Sequence, residues 1–439
     1  MSTVLFWFRN DLRLHDQPAL RAACAPGTHH LLPVLCLPDL EQSTPWGFAR
    51  AGAHRRAWQA SAIKNLLQRL QALRSQLLIL KQPASVALPA LAHAVGADTV
   101  VCEDVAAPEE QAEVEALCAA GLKVRTVWHS SLLDPAALPW PVQQLPRVFT
   151  PFRQAVENAS LRPAAPLPAP AALPPWPQGV PAPYLHDPAS TLAAFAGEAL
   201  VADARSAFPC GASPLHGGED AALAHLARYL ERGLPTQYKR TRNGLIGLDY
   251  SSKWSPWLAT GALSPRQALA QMRQFEAEHG ASDGSYWLWF ELLWRDYFRF
   301  LHLQHGRALY RARGLGPVRD SSHDRPHDPA AFAAWCAGQT GQPLVDAALR
   351  ELAATGYLSN RLRQVAASYL IHDLACDWRA GAAWFEHHLL DYDVYSNQGN
   401  WLYIAGRGTD PRGGRRFDPA QQAAVYDSDN AYQRLWGTA

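Results

Sequence analysis

The sequence predicts two domains of different class: an α/β N-terminal domain on a parallel, Rossmann-like sheet, and an all-α C-terminal domain. Three observations carry this. Residues 1–133 alternate short apolar runs with amphipathic stretches, the pattern of βαβ units. Residues 201–439 repeat apolar positions at three-to-four spacing with few β-rich alternations. Between them, residues 134–200 carry ten prolines in the interval 163–188, which excludes helix and central strand and reads as a connector wrapped between domains.

The elements follow in order. Strands are expected at 4–8, 31–37, 76–80, 99–103 and 123–128, with helices at 53–73 and 109–119 between them. The first strand runs into Arg9-Asn-Asp-Leu-Arg13 rather than a G-x-G-x-x-G turn, so no dinucleotide is expected on this sheet. The second domain reads as helices at 217–233, 264–280, 285–305, 329–337 and 345–375. Gly356 breaks the last of these and Asn360 opens a new helix. Ser264-Pro265 and Asp328-Pro329 are N-cap and first-turn signals.

Composition narrows the function classes. The 439 residues are 48% hydrophobic and 18% charged, enough for a large core. No apolar run is long enough for a membrane span. The start, Met1-Ser-Thr-Val, lacks the basic and apolar regions of a secretory signal, and the seven cysteines form no C-x-x-C pair. A cytoplasmic protein with reduced thiols is expected, without disulfides or zinc. Net charge is +1, which gives no global attraction to nucleic acid or membrane. Arginine (35) far exceeds lysine (5). That suits phosphate forks but follows equally from base composition. Ten of sixteen tryptophans lie at or beyond Trp254. Packing is the first reading of any one of them.

Local chemistry is concentrated in four segments. Tyr238-Lys-Arg-Thr-Arg-Asn243 and the loop 249–256 offer hydroxyls and amides suited to a pyrophosphate, or form a capped, solvated loop. Glu291, Trp294 and Arg295 fall at i, i+3 and i+4 on one helix face, either a binding wall or an ion pair beside a core tryptophan. Asn360 to Gln364 place polar side chains on a first helical turn. Asp391 and Asp393 sit two apart ahead of Asn397, with His387 and His388 nearby. Adjacent histidines point apart on a helix, so no metal site is expected.

Taken together, residues 7–13 (Trp-Phe-Arg-Asn-Asp-Leu-Arg), 254–264, 340–346, 360–363, 377–379 and 397–401 resemble the photolyases and cryptochromes. Residues 249–258 and 294–300 are similar to the DASH cryptochrome branch, and the matches run from residue 4 to Trp436. The resemblance implies FAD held in the helical domain. Tyr238, Ser251, Ser252 and Ser255 would hold the pyrophosphate and ribose side, with Lys253, Trp254, Arg295 and Asn397 in the same cofactor set. Asn360 would face flavin N5. Arg363 and Asp391 would pair beside the isoalloxazine, and Asp391 and Asp393 would border the flavin and adenine. The implied reaction is light-driven splitting of cyclobutane pyrimidine dimers flipped from the base stack. Glu291 would hydrogen-bond the dimer and Trp294 stack on it, making Glu291, Trp294 and Asn360 the catalytic set. Arg242, Arg361 and Lys239 would grip flanking phosphates.

Finer choices rest on single residues. Asn360 stands where (6-4) photolyases carry histidine, which favours dimer repair. Gln364 and Tyr403 stand where duplex photolyases prefer Met and Trp. A more polar pocket recovers less stacking energy, so single-stranded or looped DNA is the expected substrate. Trp401 and Trp378 match the inner and middle members of the family's electron-transfer triad. The outer position, ten residues before Trp335, is Arg325, so poor photoreduction without added reductant is expected. Methenyltetrahydrofolate is the expected antenna, with Asp104 and Glu109 as candidate ligands or plain surface carboxylates. Arg407, Arg412, Arg415 and Arg416 either extend the nucleic-acid face or form a solvated one. The chain ends three residues past Arg434-Leu-Trp436, so no signalling tail is expected, and a monomer is. A light-sensing signalling protein, a flavin redox protein and an efficient duplex photolyase are the competing readings.

Overall fold

The computed structural model describes residues 2–39, 42–316, 327–410 and 412–437. Five strands, β1 (Thr3–Phe8), β2 (His30–Cys36), β3 (Leu78–Leu80), β4 (Thr99–Glu103) and β5 (Lys123–Val127), form one sheet in the order β3-β2-β1-β4-β5, every pair parallel. All six residues of β1 are buried, as a central strand covered on both faces requires. Val4, Phe6 and Phe8 point into one core layer, while Leu5 and Trp7 point into the other. Strand order reverses direction between β1 and β4. In such sheets the carboxyl ends of the strands open a crevice at that switch point.

The connector departs from expectation in part. Residues 161–181 hold no helix or strand, but the helices Phe149–Asn158 and Pro188–Ala196 flank them, the second packing on Ala53–Ala72. Asp187 caps that second helix by accepting from Ala189 and Ser190 N–H, which makes Pro188 a first-turn residue rather than a breaker. The irregular stretch is pinned to the sheet domain. Asp16 N donates to Leu167 O at 2.7 Å and Leu31 N to Pro175 O at 3.2 Å.

The rest of the chain is helical around a core that includes Trp257, Tyr297, Trp335 and Trp401, all almost fully buried. Its longest helix, Asp283–His305, begins with a Ser282/Ser285 capping box. The expected helix 345–375 is three pieces. Pro343–Thr355 ends on Gly356 at φ +69°, and Asn360–Ser368 passes into a π turn at Tyr369–Asp373. Buried carboxylates dock the two domains. Glu219 accepts from Leu14 N and His15, and Asp296 accepts from Leu132 N and Leu133 N at 2.8 Å each. A Cβ added at Gly261 would lie 2.0 Å from Asn10 O, so a side chain there would push the domains apart. Among the described residues no helix is long and apolar enough to cross a membrane.

One consequence of this packing is a pH limit. His302 donates Nδ1–H to Phe298 O at 2.8 Å and sits 3.1 Å from Tyr310 Oη, and burial pushes its pKa down to about 4. The unfolded chain takes up a proton near pH 6.5 and the folded chain does not. The His302 contribution to stability is therefore full above about pH 6.5 and falls by up to about 1.4 kcal/mol per pH unit between there and pH 4. Urea midpoints at pH 7 and pH 5 measure this. A profile that His302→Asn leaves unchanged removes His302 as the cause.

Candidate functional site

A recess opens in the helical domain. The first turn of Asn360–Ser368 supplies Asn360, Arg363 and Gln364. The loop after Trp378–His388 supplies Asp391 and Asp393, and the helix Val394–Ile404 supplies Asn397 and Trp401. Ser359 caps the first of these helices through Leu362 N, turning its polar turn toward the recess. Arg363 Nη2 lies 2.9 Å from Asp391 Oδ2, and its Nε donates to Leu358 O at 2.8 Å. Burial would lower the Arg363 pKa, but Asp391 more than offsets it and the guanidinium stays charged. The other Asp391 oxygen, Oδ1, is buried and accepts nothing from the protein.

Asp393 is used differently. It caps Val394–Ile404 through Ser396 N at 2.8 Å and pairs with Arg299 at 2.5 Å. Burial would raise its pKa, but Arg299 and Arg295 hold it well below the carboxylate range. Its remaining acceptor capacity is small.

The loop 249–255 comes close to the Arg363–Asp391 pair. Ser252 O is fixed by His225 Nε2 at 2.8 Å, Ser251 is half-buried and Ser255 exposed. Lys253 is no solvated loop residue. It is 2% exposed, adopts φ +56°, and points Nζ over the Tyr250 ring at 3.3 Å and to Tyr357 Oη at 3.2 Å. A non-glycine residue in the left-handed region stores strain and marks functional loops. Burial pushes its ammonium well below the usual range, with Glu351, Arg363 and Asp391 as the nearby charges. Trp254 is buried with its edge against Tyr229, and Tyr238 is buried at the start of Tyr238–Thr241.

The remaining candidate residues form polar and aromatic pairs of their own. Glu291 pairs with Arg242, whose guanidinium covers Trp287 at 4.4 Å, and Lys239 pairs with Asp283 at 2.8 Å. Trp294 lies flat on Phe149, 3.8 Å between centroids and 12° between planes, and meets Tyr403 edge-on at 5.8 Å. Arg361 donates to Asn243 at 3.2 Å and covers Tyr426. Trp401 meets Phe385 at 5.1 Å, and Trp378 Nε1 donates to Ala312 O.

Several expectations are corrected here. Arg295 leaves the Glu291–Trp294 wall: its guanidinium is captured by Ser130 O and Leu258 O at the domain boundary. The four distal arginines do not form one free basic face. Arg407 is 8% exposed, Arg415 is tied to Asp410 and Tyr403, Arg416 pairs with Asp373, and only Arg412 among them is exposed without a named partner. Arg325 lies outside the described residues. Gly381 belongs to the site by close approach. A Cβ there would sit 2.2 Å from Trp401 Cη2. Gly381→Ala is expected to lower stability by about 1–3 kcal/mol through overpacking and to disturb the recess beside Trp401. Thermal melting and bound-flavin content check this; an unchanged melt means the helix shifts freely.

A second, larger cleft, open to solvent, lies between the domains at the switch point. Arg9 and Asn10 follow β1, Glu103 ends β4, and Arg299 and Tyr392 face them from the helical side. Glu103 is 2% exposed, its Oε2 has no protein partner, and burial raises its pKa. Asp104, the residue singled out from sequence, does not line the cleft, because neighbours on an extended chain point to opposite sides. Glu109 does line it, paired with Arg50 at 2.5 Å. Position at the carboxyl end of β4 was the signal for Glu103.

Residues 4–171 match the DNA photolyase family model, and residues 287–438 match the model of the FAD binding domain of DNA photolyase. The chain is 41% identical to Cryptochrome DASH of Xenopus laevis, covering 99% of this chain and 82% of that one. It is 41% identical to Cryptochrome DASH of Gloeobacter violaceus, covering 99% and 85%. The crystal structure of the Synechocystis sp. PCC6803 cryptochrome superposes with a TM-score of 0.90 at 39% identity, covering 99% of this chain and 88% of that one. A bacterial class III photolyase from Agrobacterium tumefaciens gives 0.78 at 29%, covering 99% and 86%. The chain belongs to the photolyase/cryptochrome family and, within it, to the DASH cryptochromes. The residues present fit FAD. The unpartnered Asp391 Oδ1, the amides of Asn360 and Asn397 and the Trp401 ring together offer polar and aromatic partners for a heteroaromatic ring system.

Proposed function

We propose that this protein is a deoxyribodipyrimidine photolyase acting on cyclobutane pyrimidine dimers in single-stranded DNA. The observation that carries the reading is the flavin-compatible recess with its Arg363–Asp391 pair, in the same domain as the Glu291–Trp294 wall. The chemistry that reduced FAD would supply when bound here is light-driven, reversible one-electron donation to the dimer. The chain does the rest. Arg363 would balance negative charge beside the ring, and Asn360 would offer its amide to it. Burial penalises the Lys253 ammonium, and a diphosphate arriving beside Ser251, Ser252 and Ser255 would offset that penalty. Trp294, backed by Phe149, stacks on the flipped dimer and Glu291 accepts its hydrogen bonds. Arg242 then turns from Glu291 to a flanking phosphate, joined by Lys239 and Arg361. Gln364 and Tyr403 make the base pocket polar, which supports the single-strand preference.

In this reading residues 1–133 form the antenna domain and 201–439 the catalytic one, in a monomer acting in the cytoplasm. Methenyltetrahydrofolate occupies the interdomain cleft, with Glu103 and Glu109 as its acidic partners. The test is blue-light repair by pre-reduced protein on matched single-stranded and duplex oligonucleotides carrying one thymine dimer, with dark controls. Faster single-strand restoration supports the reading. Equal rates remove the preference, and no restoration with reduced flavin in the cuvette favours a light sensor, as the relatives' cryptochrome names suggest.

A further inference from the structure

Trp401, which lines the flavin recess, packs against a tryptophan that is not part of the family's expected triad. Its ring centroid lies 6.5 Å from that of Trp335 at 72°. Trp335 is fully buried, and its Nε1–H is held by Ala366 O at 3.1 Å on the helix that carries Arg363. On its far side Phe332 stacks at 6.0 Å and 18°, and Trp46 of the N-terminal domain meets Phe332 at 6.4 Å. Trp46 is half-buried, with His327 at 4.9 Å. An aromatic file therefore runs from the recess to the domain boundary and out to solvent. The expected triad lacks a tryptophan at its outer position, where Arg325 stands.

We propose that Trp335 and Trp46 form the route by which electrons reach Trp401 from outside, in place of the route through Trp378. The proposal rests on the flavin reading above. One electron passes from Trp335 to oxidised Trp401, and one from Trp46 to oxidised Trp335, with Phe332 as the medium between them. The oxidised Trp46 releases its indole proton to water, and an external thiol returns the electron. The light-excited flavin is the oxidant at the inner end. Direction follows from solvation. A radical cation at Trp335 is wholly desolvated, and its indole proton faces only a carbonyl that cannot accept it. At Trp46 water stabilises the charge and takes the proton. The poor photoreduction expected from Arg325 is thus replaced by reduction through a different exit.

The test uses flash spectroscopy on the purified flavin-loaded protein, with steady blue-light reduction in a thiol buffer alongside. Variants are Trp335→Phe, Trp46→Phe and Trp378→Phe. Wild type and Trp378→Phe are expected to give a long-lived tryptophan radical and full reduction. Trp335→Phe is expected to lose most of that radical. Trp46→Phe is expected to keep a short-lived radical but lose the long-lived one, slowing steady reduction severalfold. The reverse pattern, with Trp378→Phe abolishing the signal and Trp46→Phe keeping it, overturns the proposal. So does a wild type without a long-lived radical, or four proteins that behave alike. If Trp335→Phe fails to hold flavin, Trp46→Phe, at the half-buried end of the file, decides alone. A wild-type protein with no flavin absorbance before the flash refutes the flavin reading instead.

Discussion

Asp391→Ala is expected to purify with little flavin and to unfold with about 3–5 kcal/mol less stability, the usual cost of removing one member of a buried ion pair. Asp391 is buried and the Arg363 side chain is 21% exposed. Without the carboxylate the guanidinium keeps Leu358 O as an acceptor and is left beside the Lys253 side chain, a second basic group. The loss has two sources, and a double variant separates them. Arg363→Met with Asp391→Leu removes both charges and fills the space, so most of the stability is expected to return. Flavin is not expected to return with it, because the acceptor Oδ1 and the cation beside the ring are both gone. Urea denaturation and the ratio of flavin to protein absorbance read the two quantities separately. Asp391→Ala with wild-type stability removes the buried-pair argument. A double variant that holds flavin as well as wild type reduces the pair to a fold-stabilising element.

The fold class was legible because periodicity is a local property. The five strands stand where the apolar runs put them, and Gly356 ended its helix as a left-handed C-cap does. What local pattern could not give is which way a side chain leaves a shared element. Glu291, Trp294 and Arg295 share a face on a helical wheel, but Arg295 reaches two carbonyls contributed from residues 130 and 258. Asp104 and Glu103 differ by one position, and the pleat sends only Glu103 into the cleft. Lys253 reads as solvated in a hydroxyl-rich loop, because nothing nearby in sequence announces that Tyr250 and Tyr357 close over it. The pairing of Arg363 with Asp391, 28 positions apart, came from the resemblance alone. Phe149, which backs Trp294 from outside the helical domain's own sequence, carried no signal at all.

Trp294→Ala is expected to weaken binding of a dimer-carrying single-stranded oligonucleotide by about five- to 150-fold, the equivalent of about 1–3 kcal/mol of base–aromatic stacking. The loss must be selective. Undamaged oligonucleotide of the same length presents no flipped base, so its affinity is expected to hold. Arg361→Ala and Lys239→Ala have the opposite signature. Each removes one phosphate contact, lowers affinity for damaged and undamaged strands alike, and flattens the salt dependence by about 0.7 in the log–log slope. Phe149→Ala tests how the plate is held. Its ring covers one face of Trp294 at 3.8 Å, so its removal leaves the indole free to rotate, and part of the Trp294→Ala loss is expected without any direct contact to DNA. Fluorescence anisotropy on paired oligonucleotides at two salt concentrations measures all four variants. Equal weakening of damaged and undamaged strands by Trp294→Ala would make the indole a packing element of the Phe149 and Tyr403 cluster, and lesion reading would then have to lie with Glu291 and Gln364.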